Sequence, residues 1–256
     1  MKKEYLVLIT ALFIMSMTAI TGVYAGEKKN ELEIISEKQV DLNEDGLNET
    51  IFLKGKPLAD NDAPYQTVLL EMINNTGKKQ RVKIEGGFEP RLHLKDINHD
   101  GISDMLVSIG IDSSSEVQNY YLYTFSNSKL VELPTPEPLV IQSEFLDRYK
   151  AKIYIENNNK SHKFNLKSRK VDYEETGIYH NGTLNEPMEL MVEPYNKLEP
   201  IKVKRNKFGL KGIQTISGAY NEDIIGRVES KWMFNNGKWD LVGTKVFEVQ
   251  YEKGKE

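Results

Sequence analysis

Asp96-Ile97-Asn98-His99-Asp100-Gly101-Ile102-Ser103-Asp104 is an Asp-rich stretch that leads without a break into the β-favouring run 105–109. An earlier stretch, Asp41-Leu42-Asn43-Glu44-Asp45-Gly46-Leu47-Asn48-Glu49, leads in the same way into 50–53. Both follow the pattern D-x-N-x-D-G-φ-x-[DE], where φ is apolar. The repeated pattern therefore predicts two loops, 41–49 and 96–104, each followed by a β-strand.

The residue types in these loops are those that a calcium ion prefers. Side-chain oxygens at positions 1, 3 and 5, the main-chain carbonyl at position 7 and a carboxylate at position 9 supply the all-oxygen shell of six to eight ligands that Ca²⁺ takes, whereas Mg²⁺ needs a smaller octahedral one. Glycine at position 6 permits the positive φ of a sharp turn. The predicted ligands are Asp41, Asn43, Asp45, Leu47 and Glu49 in the first loop and Asp96, Asn98, Asp100, Ile102 and Asp104 in the second.

The loops have two other interpretations. An EF-hand is excluded, because the bidentate Glu at its position 12 would fall at Phe52 and at Val107, and both lie in β-rich runs. The second alternative is that Asp, Asn and Gly simply cap hairpins. Two loops that match at every specified position favour metal binding over that alternative.

The two loops and the strands after them resemble the FG-GAP or VCBS-type repeats of extracellular β-propellers. The resemblance covers about residues 38–125 and implies propeller blades with calcium loops, although the FG-GAP dipeptides are not evident. In the second half, residues 184–187, 213–220 and 237–239 resemble the C-terminal part of secreted proteins of spore-forming bacteria that are named only for this repeat. That second resemblance implies no activity.

The remaining sequence predicts a mainly β protein. Short β-favouring segments alternate with turns rich in Asn, Gly and Asp, and Asn236-Gly237 favours a type I′ hairpin. No long amphipathic helix is evident, and 143–152 is the stretch in which a short one is expected. We expect propeller-like antiparallel β units with calcium loops and a β-rich C-terminal half, with a two-sheet β-sandwich as the alternative.

Three parts are expected along the chain. Residues 1–25 combine Lys2-Lys3, an apolar run and the small-residue end Val23-Tyr24-Ala25, a pattern typical of a secretory signal peptide. Three prolines at 134, 136 and 138 separate a repeat region, 31–133, from a C-terminal region, 139–256. We expect a secreted, extracellular protein, with the bacterial cell surface as an alternative location. It would be attached to a membrane only if the N-terminal segment stays uncleaved.

The composition restricts the function classes. The 256-residue chain has no cysteine, which excludes disulfides and a thiol nucleophile, and its charge of −4 carries no basic block that would indicate nucleic-acid binding. The elbow, zinc-helix and phosphate-loop motifs of common enzymes are missing from the sequence. His99 is expected to point to solvent, and the aromatic residues at 120–123, 232 and 239 are expected to be core.

Three functions are consistent with these observations. The first is a non-catalytic, calcium-binding structural or binding module. The second is a secreted hydrolase of glycan or cell wall, since 38 acidic residues could hide a catalytic carboxylate pair. The third is a spore-envelope or surface adhesion component with an extracellular protein or glycan as its partner.

Overall fold

The fold is known from a computed structural model that describes residues 32–58, 64–113, 116–205 and 207–251. The expected signal peptide, residues 1–25, lies outside the described residues. None of the helices in the described ranges is long and apolar enough to cross a membrane.

The first half of the described chain forms a seven-stranded antiparallel sheet in sequence order. The Asp-rich loops connect β1 to β2 and β4 to β5. The strands are β1 Glu33–Val40, β2 Glu49–Pro57, β3 Tyr65–Ile73, β4 Lys79–Lys95, β5 Asp104–Gly110, β6 Gln118–Ser126 and β7 Lys129–Leu133.

Strand β4 is long enough to belong to two groups of strands. The part of β4 up to Gly87 pairs with β3, and the part from Phe88 pairs with β5. The strand changes direction where the register with β5 shifts, and Glu89 there has a φ of 43°. The sheet therefore consists of two four-stranded meanders, β1–β4 and β4–β7, that share one strand.

The two meanders pack face to face on one hydrophobic core. Strand β2 alternates buried and half-buried residues, as expected of a strand with one face inward. The buried side chains of this core come from both meanders: Leu42, Ile51, Leu53, Val68, Leu70, Met72, Ile84, Leu92, Met105, Val107, Ile109 and Tyr123. The mainly β prediction is thus confirmed. The sheets in the described residues do not close and show no propeller, so the arrangement is consistent with a sandwich-like fold.

The second half of the chain follows the three prolines and is also mainly antiparallel sheet. Strands β8–β10 form one sheet, β11 and β12 a small hairpin, and β13–β16 a long four-stranded meander. The elements are β8 Ile141–Leu146, β9 Lys150–Ile155, β10 Lys160–Asn165, α1 Lys170–Glu175, β11 Tyr179–His180, β12 Thr183–Leu184, β13 Met191–Lys204, β14 Lys207–Ser217, β15 Ile224–Asn235 and β16 Lys238–Glu248.

The prediction of a short helix at 143–152 is wrong. This stretch forms the hairpin β8–β9, and the turn between its strands places Arg148 and Tyr149 at φ values of 63° and 53°. The helix in this half is α1 instead, which buries Tyr173. The hairpin predicted at Asn236-Gly237 is present, with both residues at positive φ between β15 and β16.

A smaller apolar cluster joins the second meander to the C-terminal sheet. Ile97 and Leu106 from the first half pack with Leu198 and Leu210 from the second, and all four are buried. The Trp239 indole also donates to the Pro134 carbonyl at 2.7 Å. The second Asp-rich loop therefore begins inside the contact between the two halves, because Ile97 is its second residue.

Candidate metal centres

The first loop is built by side chains that accept hydrogen bonds from its own main chain. Asp41 accepts from the N–H groups of Asn43 and Gly46, Asn43 Oδ1 accepts from Asp45 at 2.9 Å, and Asp45 Oδ1 accepts from Leu47 at 2.8 Å. Desolvation raises the pKa of Asp41, but these N–H groups outweigh it and hold the pKa below its usual value. The oxygens at positions 1, 3 and 5 thus face the inside of a tight curl.

The second loop repeats this pattern. Asn98 Oδ1 accepts from the Asp100 N–H at 2.9 Å, and Asp100 Oδ1 accepts from the Ile102 N–H at 2.9 Å. Asp96 Oδ1 accepts from the His99 N–H at 2.8 Å. Two loops far apart in sequence therefore adopt the same local structure because they have the same residues at the same positions.

The backbone conformations of the two loops also match. At position 4, Glu44 has a φ of 60° and His99 a φ of 68°, and at position 6 Gly46 and Gly101 have φ values of 84° and 96°. A non-glycine residue at positive φ is uncommon and is maintained by its surroundings. Here the bonds between side chains and main chain maintain it in both loops.

The carboxylate at position 9 closes each loop and is fully buried. Glu49 Oε2 accepts from the Leu42 N–H at 2.7 Å, and Asp104 Oδ2 accepts from the N–H groups of Ile97 and Asn98 at 2.8 and 2.9 Å. Glu49 and Asp104 are both 0% exposed. The acid at position 9 therefore turns back to the start of its own loop and does not face solvent.

The second carboxylate oxygen of Asp104 has no hydrogen-bond partner within the described residues. Burial raises the pKa of Asp104 to about 6, although the nearby Thr124 hydroxyl and the hydrogen bonds from the main-chain N–H groups lower it in part. In the first loop, the matching oxygen of Glu49 accepts from the Asn43 amide at 3.1 Å. The second loop thus keeps one buried, unsatisfied carboxylate oxygen that the first loop does not have.

The amide at position 3 lies among the acceptors of each loop. Asn43 Nδ2 donates to Asp45 at 3.0 Å as well as to Glu49, and Asn98 Nδ2 donates to Asp100 at 2.8 Å and to the Thr124 hydroxyl at 3.2 Å. Over the ranges that the structure describes, no group of three His, Cys, Asp or Glu side chains could hold a metal ion as placed. A cation in either loop would therefore have to displace these amide hydrogens.

The surroundings of the two loops differ. The Asn75 amide of the β3–β4 turn donates to Asp45 at 3.1 Å, and Lys78 from the same turn lines a cavity of about 120 Å³ with Asn43 and Glu49. The first loop therefore has a lysine nearby, whose positive charge would repel a bound cation. The second loop lies beside the C-terminal sheet.

The expectation that His99 points to solvent is wrong. Its Nε2 lies 2.7 Å from the Phe208 carbonyl oxygen in β14, and its side chain is half-buried. This contact could not be predicted from local sequence, because Phe208 is far along the chain. Among the aromatic residues expected in the core, Trp232 is buried with its indole donating to Ser230 at 2.9 Å, and Tyr123 is buried in the first core. Tyr120, Tyr121 and Trp239 are half-buried.

Comparison with known proteins gives one family and one relative. Residues 139–247 match the model of the family described as YybI C-terminal domain. Over 227 residues, the chain is 24% identical to the uncharacterized protein YybI of Bacillus subtilis (strain 168), and the alignment covers 83% of this chain and 87% of that protein. No solved structure matches the chain.

These matches contradict the resemblance to FG-GAP and VCBS-type repeats. The family comparison matches the chain to the YybI C-terminal domain and to neither repeat family. The two similar loops belong to one continuous sheet that shares β4, and a shared pattern of calcium-type residues in short loops is not enough to identify a repeat family.

Proposed function

We propose that this chain is an exported β protein that binds Ca²⁺ in the loops 41–49 and 96–104 and acts as a non-catalytic structural or binding module. The observation that carries the proposal is the buried Asp104 oxygen without a partner. It lies at the position from which the acidic residue would close a calcium shell.

The energy of burial favours an ion at this carboxylate. A buried, unsatisfied acceptor costs about 1–3 kcal/mol, and a charged one costs more. A divalent cation would supply the missing partner, and it would favour the ionised form that burial now disfavours. Oxygens that already accept one N–H retain lone pairs for a metal, since a carboxylate has about four acceptor sites.

Each loop offers a set of oxygen ligands. In the second loop these are Asp96, Asn98, Asp100, the Ile102 carbonyl and Asp104, and the first loop offers Asp41, Asn43, Asp45, the Leu47 carbonyl and Glu49. We infer that the second loop binds the ion more tightly, because Lys78 lies beside the first. Sites of this kind in extracellular modules bind calcium at about 10⁻⁴ to 10⁻³ M, which suits a protein outside the cell.

Export and organisation remain part of the proposal. Cleavage after Ala25 would release a protein with a two-loop region, 31–133, and a C-terminal region, 139–256. The two meanders on one core support a sandwich-like arrangement for the first region. N-terminal sequencing of the protein recovered from culture medium tests this, and a mature chain that begins at Met1 would contradict it.

A secreted hydrolase is the second candidate, because Glu144 and Glu189 both line a cavity of about 500 Å³ at β8. A panel of glycan and cell-wall substrates would identify it. Turnover that survives purification and is lost in Glu144→Gln would favour the hydrolase. The third possibility, a spore-envelope or adhesion component, would be tested by pull-down from cell envelopes with calcium and with chelator.

The test of calcium binding is calorimetric titration of the metal-free protein. We expect wild type to bind Ca²⁺ and to bind Mg²⁺ much more weakly. Asp104→Asn should remove the tighter event, because it removes the charge but keeps the size of the side chain. Asp172→Asn, at a half-buried acid on α1 outside both loops, is the matched control and should bind as wild type does. A folded wild type that takes up no calcium at millimolar concentration would overturn the proposal.

A further inference from the structure

A polar cleft of about 600 Å³ lies between the second meander and the C-terminal sheet. One wall is formed by β4–β6 and includes Arg91, His93 and Gln118, and the other is formed by β13–β15 and includes Asn196, Lys197 and Arg227. Concave surfaces between packed units are the usual location of small-molecule sites.

The walls of the cleft are held at a fixed separation. The Tyr120 hydroxyl from β6 accepts from the Leu198 N–H at 2.8 Å and contacts the Asn196 carbonyl at 3.4 Å. Leu198 and Leu210 are buried together in the apolar cluster that joins the two halves. The cleft is therefore preformed, which reduces the entropy that a ligand would lose on binding.

The charges that line the cleft favour an anion. The lining side chains include three cations, Arg91, Lys197 and Arg227, and two acids, Glu116 and Glu199. Glu199 accepts from Lys197 and Lys211 at 2.7 Å, and Arg91 donates through Nη2 to the exposed Glu89, which leaves its other N–H groups for a ligand. Glu116, the other acid in the cleft, has no lysine or arginine partner within the described residues. Among the described residues Arg227 has no carboxylate partner, so its guanidinium is available to a ligand.

These cations also affect the pKa of His93. Desolvation lowers the pKa of His93, and the positive charges of Arg91, Lys197 and Lys38 lower it further against the opposing charge of Glu199. The neutral form of the imidazole is therefore favoured in the cleft. A neutral imidazole can both donate and accept a hydrogen bond.

Asn196 adds a second recognition element. It is 7% exposed, its amide nitrogen donates to Glu193 at 2.7 Å, and its Oδ1 has no partner in the part of the chain that the structure describes. A hydroxyl group is the natural donor for such an oxygen. Guanidinium groups bind an oxyanion, and the Asn196 oxygen accepts from a hydroxyl group. A ligand that has both an oxyanion and hydroxyl groups is a sugar that carries a negative charge.

We propose that this cleft binds an anionic carbohydrate, with Arg91 and Arg227 on its carboxylate or phosphate and Asn196 and His93 on its hydroxyl groups. The site is separate from the calcium loops, and this inference goes beyond the calcium-binding function by giving the module a ligand. It is tested in metal-free buffer, so its failure would not bear on calcium binding.

The experiment is a titration of the full chain, at constant ionic strength, with glucuronate, glucose 6-phosphate and glucose. We expect one or both charged sugars to bind and glucose not to bind. Arg227→Gln and Arg91→Gln should each weaken binding about tenfold, the loss expected for one charge-assisted hydrogen bond. Arg205→Gln, at an arginine away from the cleft, should bind as wild type does. The stronger of the two charged sugars identifies carboxylate or phosphate as the preferred group.

Three results would overturn the inference. They are binding of glucose as strong as that of the charged sugars, binding of neither charged sugar at millimolar concentration, and unchanged binding in both cleft variants. Circular dichroism of each variant verifies its fold. Arg227→Lys keeps the charge but not the two-pronged geometry, and we expect it to bind more tightly than Arg227→Gln.

Discussion

His99 Nε2 lies 2.7 Å from the Phe208 carbonyl oxygen, and this contact connects the loop 96–104 to the start of β14. Lys95, just before the loop, lies over the Phe208 ring at 5.0 Å. In the first loop, the residue at the same position is Glu44, and its carboxylate lies close to Gly101 of the second loop. The second loop therefore connects the two halves of the molecule as well as two strands.

Removing the imidazole should loosen the contact between the halves. His99→Asn keeps a residue that tolerates positive φ but shortens the side chain, so that it no longer reaches Phe208. We expect a loss of about 0.5–1.5 kcal/mol in the free energy of unfolding, the usual net value of one hydrogen bond. We also expect faster hydrogen exchange in β14. His180→Asn, at an exposed position, is the control, and equal losses in both variants would contradict the prediction.

Asp100→Ala distinguishes a metal ligand from a turn cap. In chelator it removes the acceptor of the Ile102 N–H and should cost about 0.5–2 kcal/mol, as loss of a cap does. In calcium, wild type gains about 2.7 kcal/mol at a hundredfold excess over Kd, and the variant should lose most of that gain at this loop. Denaturation of both proteins with and without calcium measures the difference. Asp45→Ala is the matched variant in the first loop, and a deficit of Asp100→Ala that is independent of calcium would mean that the second loop is only a turn.

Local signals in the sequence were sufficient for most of the strands and for the shape of the loops. The β-favouring run 50–53 predicted β2, and the Asn-Gly pair predicted the turn before β16, because each depends on neighbours within a few residues. The signals that predicted the two loops were equally local, because the side chains of each loop form hydrogen bonds with the main chain of the same loop.

Features that depend on distant residues could not be predicted. The β8–β9 turn has neither Asn nor Gly at its positive-φ positions, and it is maintained by the Arg148 N–H on the Gly182 carbonyl at 2.7 Å and by the Tyr149 hydroxyl on Glu174. The His99 contact and the shared strand β4 also depend on long-range packing. Sequence alone therefore suggested a helix and separate blades where the structure has a hairpin and a continuous sheet.

Glu71 should make the protein sensitive to acid. It is 1% exposed between Lys54 and Arg81; desolvation raises its pKa, but the hydrogen bonds and charges of these two partners hold the pKa below its usual value. A carboxyl with a lowered pKa in the folded state stabilises the protein above its unfolded pKa of about 4.3, and this contribution is lost as pH falls through the folded value. Glu71→Gln should cost about 2 kcal/mol at pH 7. The difference in the free energy of unfolding between wild type and Glu71→Gln should become smaller below pH 4. A difference that stays constant with pH would contradict the lowered pKa of Glu71.

The buried pair of Arg169 and Asp223 should be costly to break on one side. Arg169 Nε donates to Asp223 at 2.7 Å, both residues are 4% exposed, and the Tyr173 hydroxyl bonds to the same carboxylate. Asp223→Ala leaves the guanidinium buried without its partner and should cost about 3–5 kcal/mol. Combining it with Arg169→Met should cost much less than the sum of the two single changes. A double-mutant cycle by urea denaturation measures this, and additive losses would mean that the two residues act independently.

The C-terminal sheet is open, and β13 is its edge strand, covered in part where the Tyr120 hydroxyl bonds to the Leu198 N–H and the Asn196 carbonyl. Such an edge is a template for aggregation. Pro194 and Pro200 remove two N–H donors from β13, and Lys197, Lys202 and Lys204 place positive charge along it. A strand of a second copy of the chain would therefore lack two hydrogen-bond donors at this edge, and the lysines of the two copies would repel each other. This composition disfavours pairing of β13 with a strand of another molecule, the step by which β-rich proteins begin to form fibrils.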